Sequence, residues 1–225
     1  MFRHLSLVSS ALALALLMTS SASAQFRGMR FPPSLQNTFM LRGEAVQKEL
    51  GLSDEQKKSL GDLANKLQAD AMEIISGLQD LSQEEQKEYM PELMKMIGDK
   101  GKEVQEKVDK VLEPKQATRM KELSLQHRGA PALEDEEVIA ALKITDDQKQ
   151  KLAAVREEGA QKIEEAMQSL RGGGGDAGEI RQKIMGMRKE LGEKALAVLT
   201  PQQLEQFEKM KGAKFDFPPQ RGFGF

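Results

Sequence analysis

Apolar residues recur at intervals of three and four along most of the chain, which is the spacing of one face of an α-helix. No segment alternates apolar and polar residues as a half-buried strand does. The seam-like spacing also indicates that each long helix packs against a long neighbour, as in a coiled coil. The pattern therefore predicts an all-α fold. The two clearest runs are Leu60, Leu63, Leu67, Ala71, Ile74, Ile75 and Leu78, and then Leu93, Ile97, Val104, Val108, Val111 and Leu112.

The pattern repeats, which predicts two tandem helical units. VQKELGLSDEQKKSL from Val46 resembles VIAALKITDDQKQKL from Val138, a shift of 92 residues. VLEPKQATRMKEL from Val111 resembles VLTPQQLEQFEKM from Val198, a shift of 87 residues. The difference in length falls between these segments, where a loop tolerates insertions. Each half is predicted to hold four helices: a short one, a hairpin of two long ones and a short closing one.

The expected helix bounds follow from the apolar runs. The short first helices are placed at about 44–50 and 134–142, the long helices at about 54–79 and 146–170, and the return helices end near 112 and 198. Pro91, Gly98 and Gly101 lie in the first return helix, and we expect them to kink or interrupt it. The glycine run at 172–175 is expected to form a flexible hairpin turn, because no strand precedes it and the GK[ST] of a phosphate loop is missing.

The N-terminus has the pattern of a secretory signal peptide. Arg3 and His4 precede the apolar run LSLVSSALALALLM, and small residues ending in Ala22 and Ala24 follow. This order predicts cleavage before Gln25. The apolar run is shorter than the roughly 20 residues of a membrane span. We therefore expect a periplasmic or secreted protein with no membrane span after signal removal; an uncleaved anchor is the alternative.

The predicted organisation has five parts. They are a signal peptide at 1–24, an N-terminal tail at 25–42, helical repeats at 43–128 and 129–212, and a C-terminal tail at 213–225. Phenylalanines cluster in the tails, and FPP occurs in both, at 31–33 and 217–219. The tails are either disordered or fold onto the body and bind partners, in which case Phe215 and Phe217 are candidates for contact.

Four helix starts share one motif, in which glutamine comes three residues after a capping position. Ser or Thr followed by Gln at this spacing is a capping box, and Pro114 and Pro201 suit the first helical position. The motif therefore predicts a structural role, weakest at Glu113, which is a poor cap. The four copies are Leu52-Ser53-x-x-Gln56, Leu112-Glu113-x-x-Gln116, Ile144-Thr145-x-x-Gln148 and Leu199-Thr200-x-x-Gln203.

The repeated motif resembles the Leu-Thr-x-x-Gln signature of the Spy/CpxP family of periplasmic proteins. LKITDDQKQKL at 142–152 looks like the first motif of that family, and VLTPQQLEQF at 198–207 looks like the second. The resemblance implies an ATP-independent chaperone or a regulator of envelope stress signalling. Family protomers form an antiparallel, cradle-shaped dimer, so two units in one chain suggest an intrachain pseudo-dimer. A homodimer is the alternative, and light scattering that showed an obligate dimer of the mature chain would count against the intrachain version.

Composition argues against several kinds of chemistry. The 225 residues include no Cys and two His, and the net charge is −2. Disulfides and thiolate sites are therefore excluded, and the charge provides no field for binding nucleic acid. His127 alone cannot build a metal site. We expect no enzyme, no cofactor and no metal, and a metal-responsive binding protein is the least favoured function.

Proteins are the partners that remain. Methionine side chains adapt to varied surfaces, and Met94 and Met187 lie beside the apolar stripes of their helices. We expect the chain to bind unfolded or stressed envelope proteins on a helical surface. The alternative is a sensor or adaptor that binds one specific partner, such as a sensor kinase.

Overall fold

The protein is all-α, as the spacing of its apolar residues predicts. The computed structural model describes residues 32–171 and 177–218, and within them every regular element is a helix. The predicted signal peptide, its cleavage site at Ala22, Ala24 and Gln25, the glycine run at 172–175 and residues 219–225 lie outside the described residues.

Nine α-helices and one 3₁₀ helix follow one another along the described chain. Their bounds agree with the expected ones to within two residues wherever a bound was predicted. None of these helices is both long enough and apolar enough to cross a membrane. They are α1 (Pro33–Met40), α2 (Glu44–Glu49), α3 (Asp54–Gln79), α4 (Gln83–Val111), α5 (Pro114–Arg128), the 3₁₀ helix (Ala130–Glu134), α6 (Glu136–Leu142), α7 (Asp146–Arg171), α8 (Ala177–Leu196) and α9 (Pro201–Met210).

Two compact units divide the described chain, and the division lies within α5, between Met120 and Lys121. Unit 1 contains the hairpin of α3 and α4, with α1 packed against both helices. Apolar side chains from these helices and from the flanking turns form its core. The most deeply buried are Leu35, Leu41, Val46, Leu60, Ala64, Leu67, Ala71, Leu93 and Val104.

Unit 2 contains the hairpin of α7 and α8, and its core gathers at Phe207 of α9, whose side chain is fully buried. The 3₁₀ helix packs against α6, α7 and α8. The Lys211 ammonium lies 4.7 Å from the centre of the Phe207 ring and so makes a cation–π contact. The other buried members of this cluster are Leu125, Ala132, Leu133, Val138, Leu142, Ile144, Leu152 and Leu199.

Helix α1 is not predicted from the sequence, because the spacing of apolar residues places residues 25–42 in a tail. Its eight residues are too few to display a helical period. The helix contributes one buried leucine, Leu35, and a second, Leu41, follows its last turn. Pro33 at the first helical position fits the fixed φ of proline. Part of the predicted tail therefore belongs to the core of unit 1.

The expected interruption of the first return helix is wrong. Helix α4 runs continuously through Pro91, Gly98 and Gly101. Pro91 is exposed, so the backbone carbonyl one turn earlier, which loses its usual partner, can be hydrated instead. Gly101 has a packing role. A Cβ at this position would lie 2.5 Å from Cβ and Cγ of Pro32, so its glycine allows the start of α1 to approach α4.

Replacing Phe207 with alanine should destabilise unit 2 by about 3–5 kcal/mol, because the ring leaves a cavity that neighbouring side chains fill incompletely. Leu204→Ala is the matched control, since Leu204 lies one turn earlier on α9 and is 37% exposed. It should change stability by about 0.5 kcal/mol or less. Urea unfolding followed by far-ultraviolet circular dichroism measures both, and equal small effects would contradict the core assignment.

Candidate functional site

Two glutamines from distant motifs pair with each other at the base of the first hairpin. Gln56 in α3 donates from Nε2 to Oε1 of Gln116 in α5 at 2.7 Å, and Gln116 donates back from Nε2 to Oε1 of Gln56 at 3.2 Å. The Gln56 amide also donates to the Val111 carbonyl at 2.7 Å, and the Gln116 amide donates to the Leu50 carbonyl at 3.2 Å. We call this reciprocal pair a glutamine clasp. It ties the start of α3 to the start of α5.

The same clasp is present in unit 2. Gln148 in α7 donates to Oε1 of Gln203 in α9 at 2.6 Å, and Gln203 donates back at 3.0 Å. Their amides also donate to the carbonyls of Val198 and Leu142, at 2.9 and 3.0 Å respectively. The two clasps therefore join the matched helix starts by matched hydrogen bonds.

Capping boxes complete the clasps. The N–H groups of Ser53, Thr145 and Thr200 donate to the glutamine Oε1 atoms at 2.9–3.1 Å, and their hydroxyls accept from the glutamine N–H groups at 3.2–3.3 Å. At the fourth start, the Glu113 N–H donates to Gln116 Oε1 at 2.9 Å. The apolar residue that opens each motif is buried in every case: Leu52, Leu112, Ile144 and Leu199.

The clasps leave little hydrogen-bonding capacity for a ligand. Each glutamine amide has two N–H donors, and each donates both to its clasp partner and to a backbone carbonyl. This geometry fits the structural role predicted for the motif. The capping box was visible in the sequence. The pairing was not, although the placement of the four motifs as two matched pairs was a signal for it.

The remaining candidate residues lie in partly buried positions. Met94 and Met187 are half-buried, as are Phe215 and Phe217. The Phe215 N–H donates to Oε1 of Gln126 at 2.9 Å, and the Gln126 amide donates to the Ala213 carbonyl at 2.8 Å. The start of the predicted C-terminal tail is therefore held against α5.

The two hairpins differ in how well their apolar residues are covered. In unit 1, Leu67, Ala71, Ile97 and Val104 are at most 4% exposed, and α1 packs on both helices of the hairpin. The repeat shifts match these positions with four residues of unit 2. Three of those, Ile163, Ile184 and Leu191, are only half-buried, and Gly159 is the fourth.

This partly exposed surface of unit 2 is the candidate site, and we call it the α7/α8 stripe. Met185 on α8 is 64% exposed and is the most exposed large apolar side chain in the described chain; it projects about 100° around the helix axis from Ile184 and so lies outside the stripe. Helices α7 and α8 approach each other closely under the stripe, since a Cβ at Gly159 would lie 2.7 Å from Cδ1 of Leu191. The members of the stripe are Val155, Ile163, Ile184, Met187 and Leu191.

Charged side chains surround the stripe. Lys183, Arg188 and Lys189 are exposed on α8. Glu158 bridges the two helices, at 2.7 Å from Lys194 and 2.8 Å from Lys162. The hydrogen bonds from these two lysines lower the pKa of Glu158 to about 2. The stripe thus lies beside exposed basic side chains and beside ion pairs, which include Lys189 with Glu193 at 4.0 Å.

Potential metal ligands are dispersed over the described part of the chain. Within residues 32–171 and 177–218, no three His, Asp or Glu side chains gather in a way that could hold a metal ion. Comparison of the chain with family models, with curated proteins and with solved structures gives no match. The case for a function therefore depends on the chain's own surface and on its repeated motif.

Gln148→Ala should destabilise unit 2 by about 1–3 kcal/mol, because it leaves the Val198 carbonyl and one donor of the Gln203 amide without partners. Gln150→Ala, on the exposed side of the same helical turn, is the control and should have little effect. Urea unfolding gives both values.

The pairing itself is tested by the Gln148→Ala/Gln203→Ala double variant. Its cost should fall below the sum of the two single costs, because neither orphaned amide then remains. Additive costs would contradict a direct clasp between the two side chains.

Glu158→Gln should lower stability at pH 6 and cease to do so as the pH falls. The folded-state pKa of Glu158, about 2, lies below the ordinary value of 4.5. Its stabilising contribution is therefore complete above 4.5 and is lost as the pH falls toward 2. Because these groups are exposed, high salt should also weaken the effect.

Urea midpoints of the wild type and of Glu158→Gln, measured from pH 6 to pH 3, test this dependence. Glu157→Gln, at the exposed neighbouring position, is the control. A difference between Glu158→Gln and the wild type that stayed constant over this range would contradict the ion-pair assignment.

Proposed function

We propose that the chain is an exported, ATP-independent chaperone-like protein that binds unfolded or stressed envelope proteins on a helical surface. The observation that carries this proposal is the α7/α8 stripe, an elongated apolar surface left partly open along a two-helix hairpin. Apolar surface that a folded domain leaves uncovered commonly marks a site of protein contact.

The side chains of the stripe suit clients of varied sequence. Met187 in the stripe and the exposed Met185 beside it have unbranched, polarisable side chains that repack against different partners. Lys183, Arg188 and Lys189 on the same helix keep the surface hydrated and attract acidic segments of a client. A partner that exposes both apolar and acidic residues, as an unfolded chain does, therefore fits this surface.

The compartment and the energy source in this proposal come from the sequence. The signal-peptide pattern that ends at Ala24 supports export. The repeated Leu-Thr-x-x-Gln-like motif supports a likeness to the Spy/CpxP family, whose members act in the periplasm without nucleotide. The clasp gives this motif a physical purpose, which is to fix the base of the hairpin that bears the stripe.

Met185→Asp should reduce suppression of aggregation several-fold without changing the thermal midpoint, because it replaces the most exposed large apolar side chain beside the stripe with a charge. Gln150→Asp introduces the same charge at an exposed position in the second turn of α7 and should leave suppression unchanged. Light scattering of urea-denatured citrate synthase, diluted into equimolar protein, measures both variants. No suppression by the wild type would refute the chaperone role.

A single stoichiometric partner recovered by pull-down from envelope extract would instead favour a sensor or adaptor function, such as binding to a sensor kinase. In that case Met185→Asp should abolish capture of that one partner. The two functions are thus distinguished by whether the stripe binds many clients or one.

A further inference from the structure

Helix α1 occupies in unit 1 the surface that remains partly open in unit 2. The repeat shift of 92 residues matches Leu41, just after α1, with Leu133 in the 3₁₀ helix, and both side chains are fully buried. Each segment has a proline in its first two residues, Pro33 in α1 and Pro131 in the 3₁₀ helix, and each packs on the two long helices of its hairpin. In unit 1 the covering segment extends farther toward the tip of the hairpin, where Pro32 lies against Gly101. We call the surface of α3 and α4 that α1 covers the α3/α4 groove. Through the repeat it corresponds to the α7/α8 stripe, but it is covered by a helix of the chain itself.

The contacts of α1 show what kind of segment the groove accepts. Leu35 is 1% exposed and enters the apolar surface of the hairpin. Ser34 Oγ donates to the Gly101 carbonyl at 2.7 Å, and Thr38 Oγ1 donates back to the Ser34 carbonyl within α1 at 2.8 Å. Small hydroxyl residues beside a leucine therefore let a short helix lie close to α4. The groove fits an apolar helix of about two turns.

The attachment of α1 is incomplete. The helix has no side-chain N-cap, no acidic residue in its first turn and no basic residue in its last turn. Two polar atoms in unit 1, Oδ1 of Asn37 and Oδ2 of Asp70, are buried without a hydrogen-bond partner. Lys100 Nζ lies 3.7 Å from that Asp70 oxygen, which is within ion-pair range but too long for a hydrogen bond. Asn37 belongs to α1, so water would satisfy its Oδ1 atom if α1 left.

The connection of α1 also permits release. Among the described residues, α1 is joined to unit 1 through its C-terminal end alone, by the turn at 41–43. An eight-residue helix is marginal without tertiary contacts, so α1 can unfold locally while the clasp keeps α3 joined to α5.

We propose that α1 is an internal ligand of the α3/α4 groove, and that an apolar helical segment of an unfolded client displaces it. The proposal rests on the proposed function for the identity of the displacing segment, whereas release of α1 is measurable with no client present. It makes the groove a second client site, closed by the chain's own N-terminal helix.

Gly101→Ala should release α1, because the new Cβ would lie 2.5 Å from Pro32. Gly98→Ala is a matched control on the same helix, since a Cβ at Gly98 meets nothing within 4 Å. In the full mature chain, Gly101→Ala should raise hydrogen exchange of the α1 amides at least tenfold over Gly98→Ala. It should also bind a labelled peptide of residues 31–42 added in trans. Unchanged protection of α1 in Gly101→Ala would overturn the proposal.

A mature chain lacking residues 25–40 provides the second test, since it keeps Leu41, the counterpart of Leu133. It should remain folded, with its helical content reduced only by the loss of α1, and it should bind the same peptide. Unfolding of unit 1 would show that α1 is a permanent part of the core and would overturn the proposal. Failure to bind the peptide would do the same.

Displacement of α1 by a client is measured in a separate experiment. Urea-denatured citrate synthase should compete with the labelled peptide for the shortened chain, and Gly101→Ala should suppress aggregation better than Gly98→Ala. If the peptide binds but the denatured protein does not compete, the client part of this proposal is wrong, although aggregation suppression through the α7/α8 stripe can still stand. A different outcome is that the wild type suppresses no aggregation, although Gly101→Ala still raises hydrogen exchange of the α1 amides and binds the peptide. In that case the proposed function fails, and the groove remains a site that binds the chain's own N-terminal helix.

Discussion

The reciprocal hydrogen bonding of two glutamine amides is the constraint on which both hairpins depend. Each long helix that leads into a hairpin begins at a clasp, and the short helix that follows the hairpin begins at the same clasp. A neutral amide is well suited to this position, because it is donor and acceptor at once. A carboxylate in its place would lose both donated bonds. The geometry of the hairpin base is therefore set by polar side chains in a protein whose cores are otherwise mainly apolar.

Local features of the fold were largely predictable from the sequence. The three-four spacing and the capping residues identified the long helices, because both signals act within one or two turns. The clasp joins Gln56 to Gln116 and Gln148 to Gln203, pairs separated by 60 and 55 residues. No local rule specifies such a contact. Helix α1 was missed for a similar reason, because its position depends on packing against α3 and α4, which lie farther along the chain.

Glycine illustrates why local rules fail at packed positions. Helix propensity makes Gly101 a weak point of α4, yet its missing side chain is what admits Pro32. In α7, Gly159 admits Leu191, whereas the matched positions of unit 1 carry Leu67 and Val104. The two hairpins therefore fill their interiors differently. One uses larger side chains together with a third helix, and the other uses a glycine and a close approach of two helices.

The location of the clasp at one end of each hairpin has a mechanical consequence. Gln148 is the third of the 26 residues of α7, so the far end of the helix lies about 35 Å from the clasp at 1.5 Å per residue. Near the clasp, the two helices are tied by hydrogen bonds and by the core around Phe207, whereas apolar contacts and ion pairs hold them farther out. The work needed to separate the helices therefore increases from tip to base. Substitutions at the base thus remove directional hydrogen bonds, whereas substitutions farther out remove packing and ion pairs.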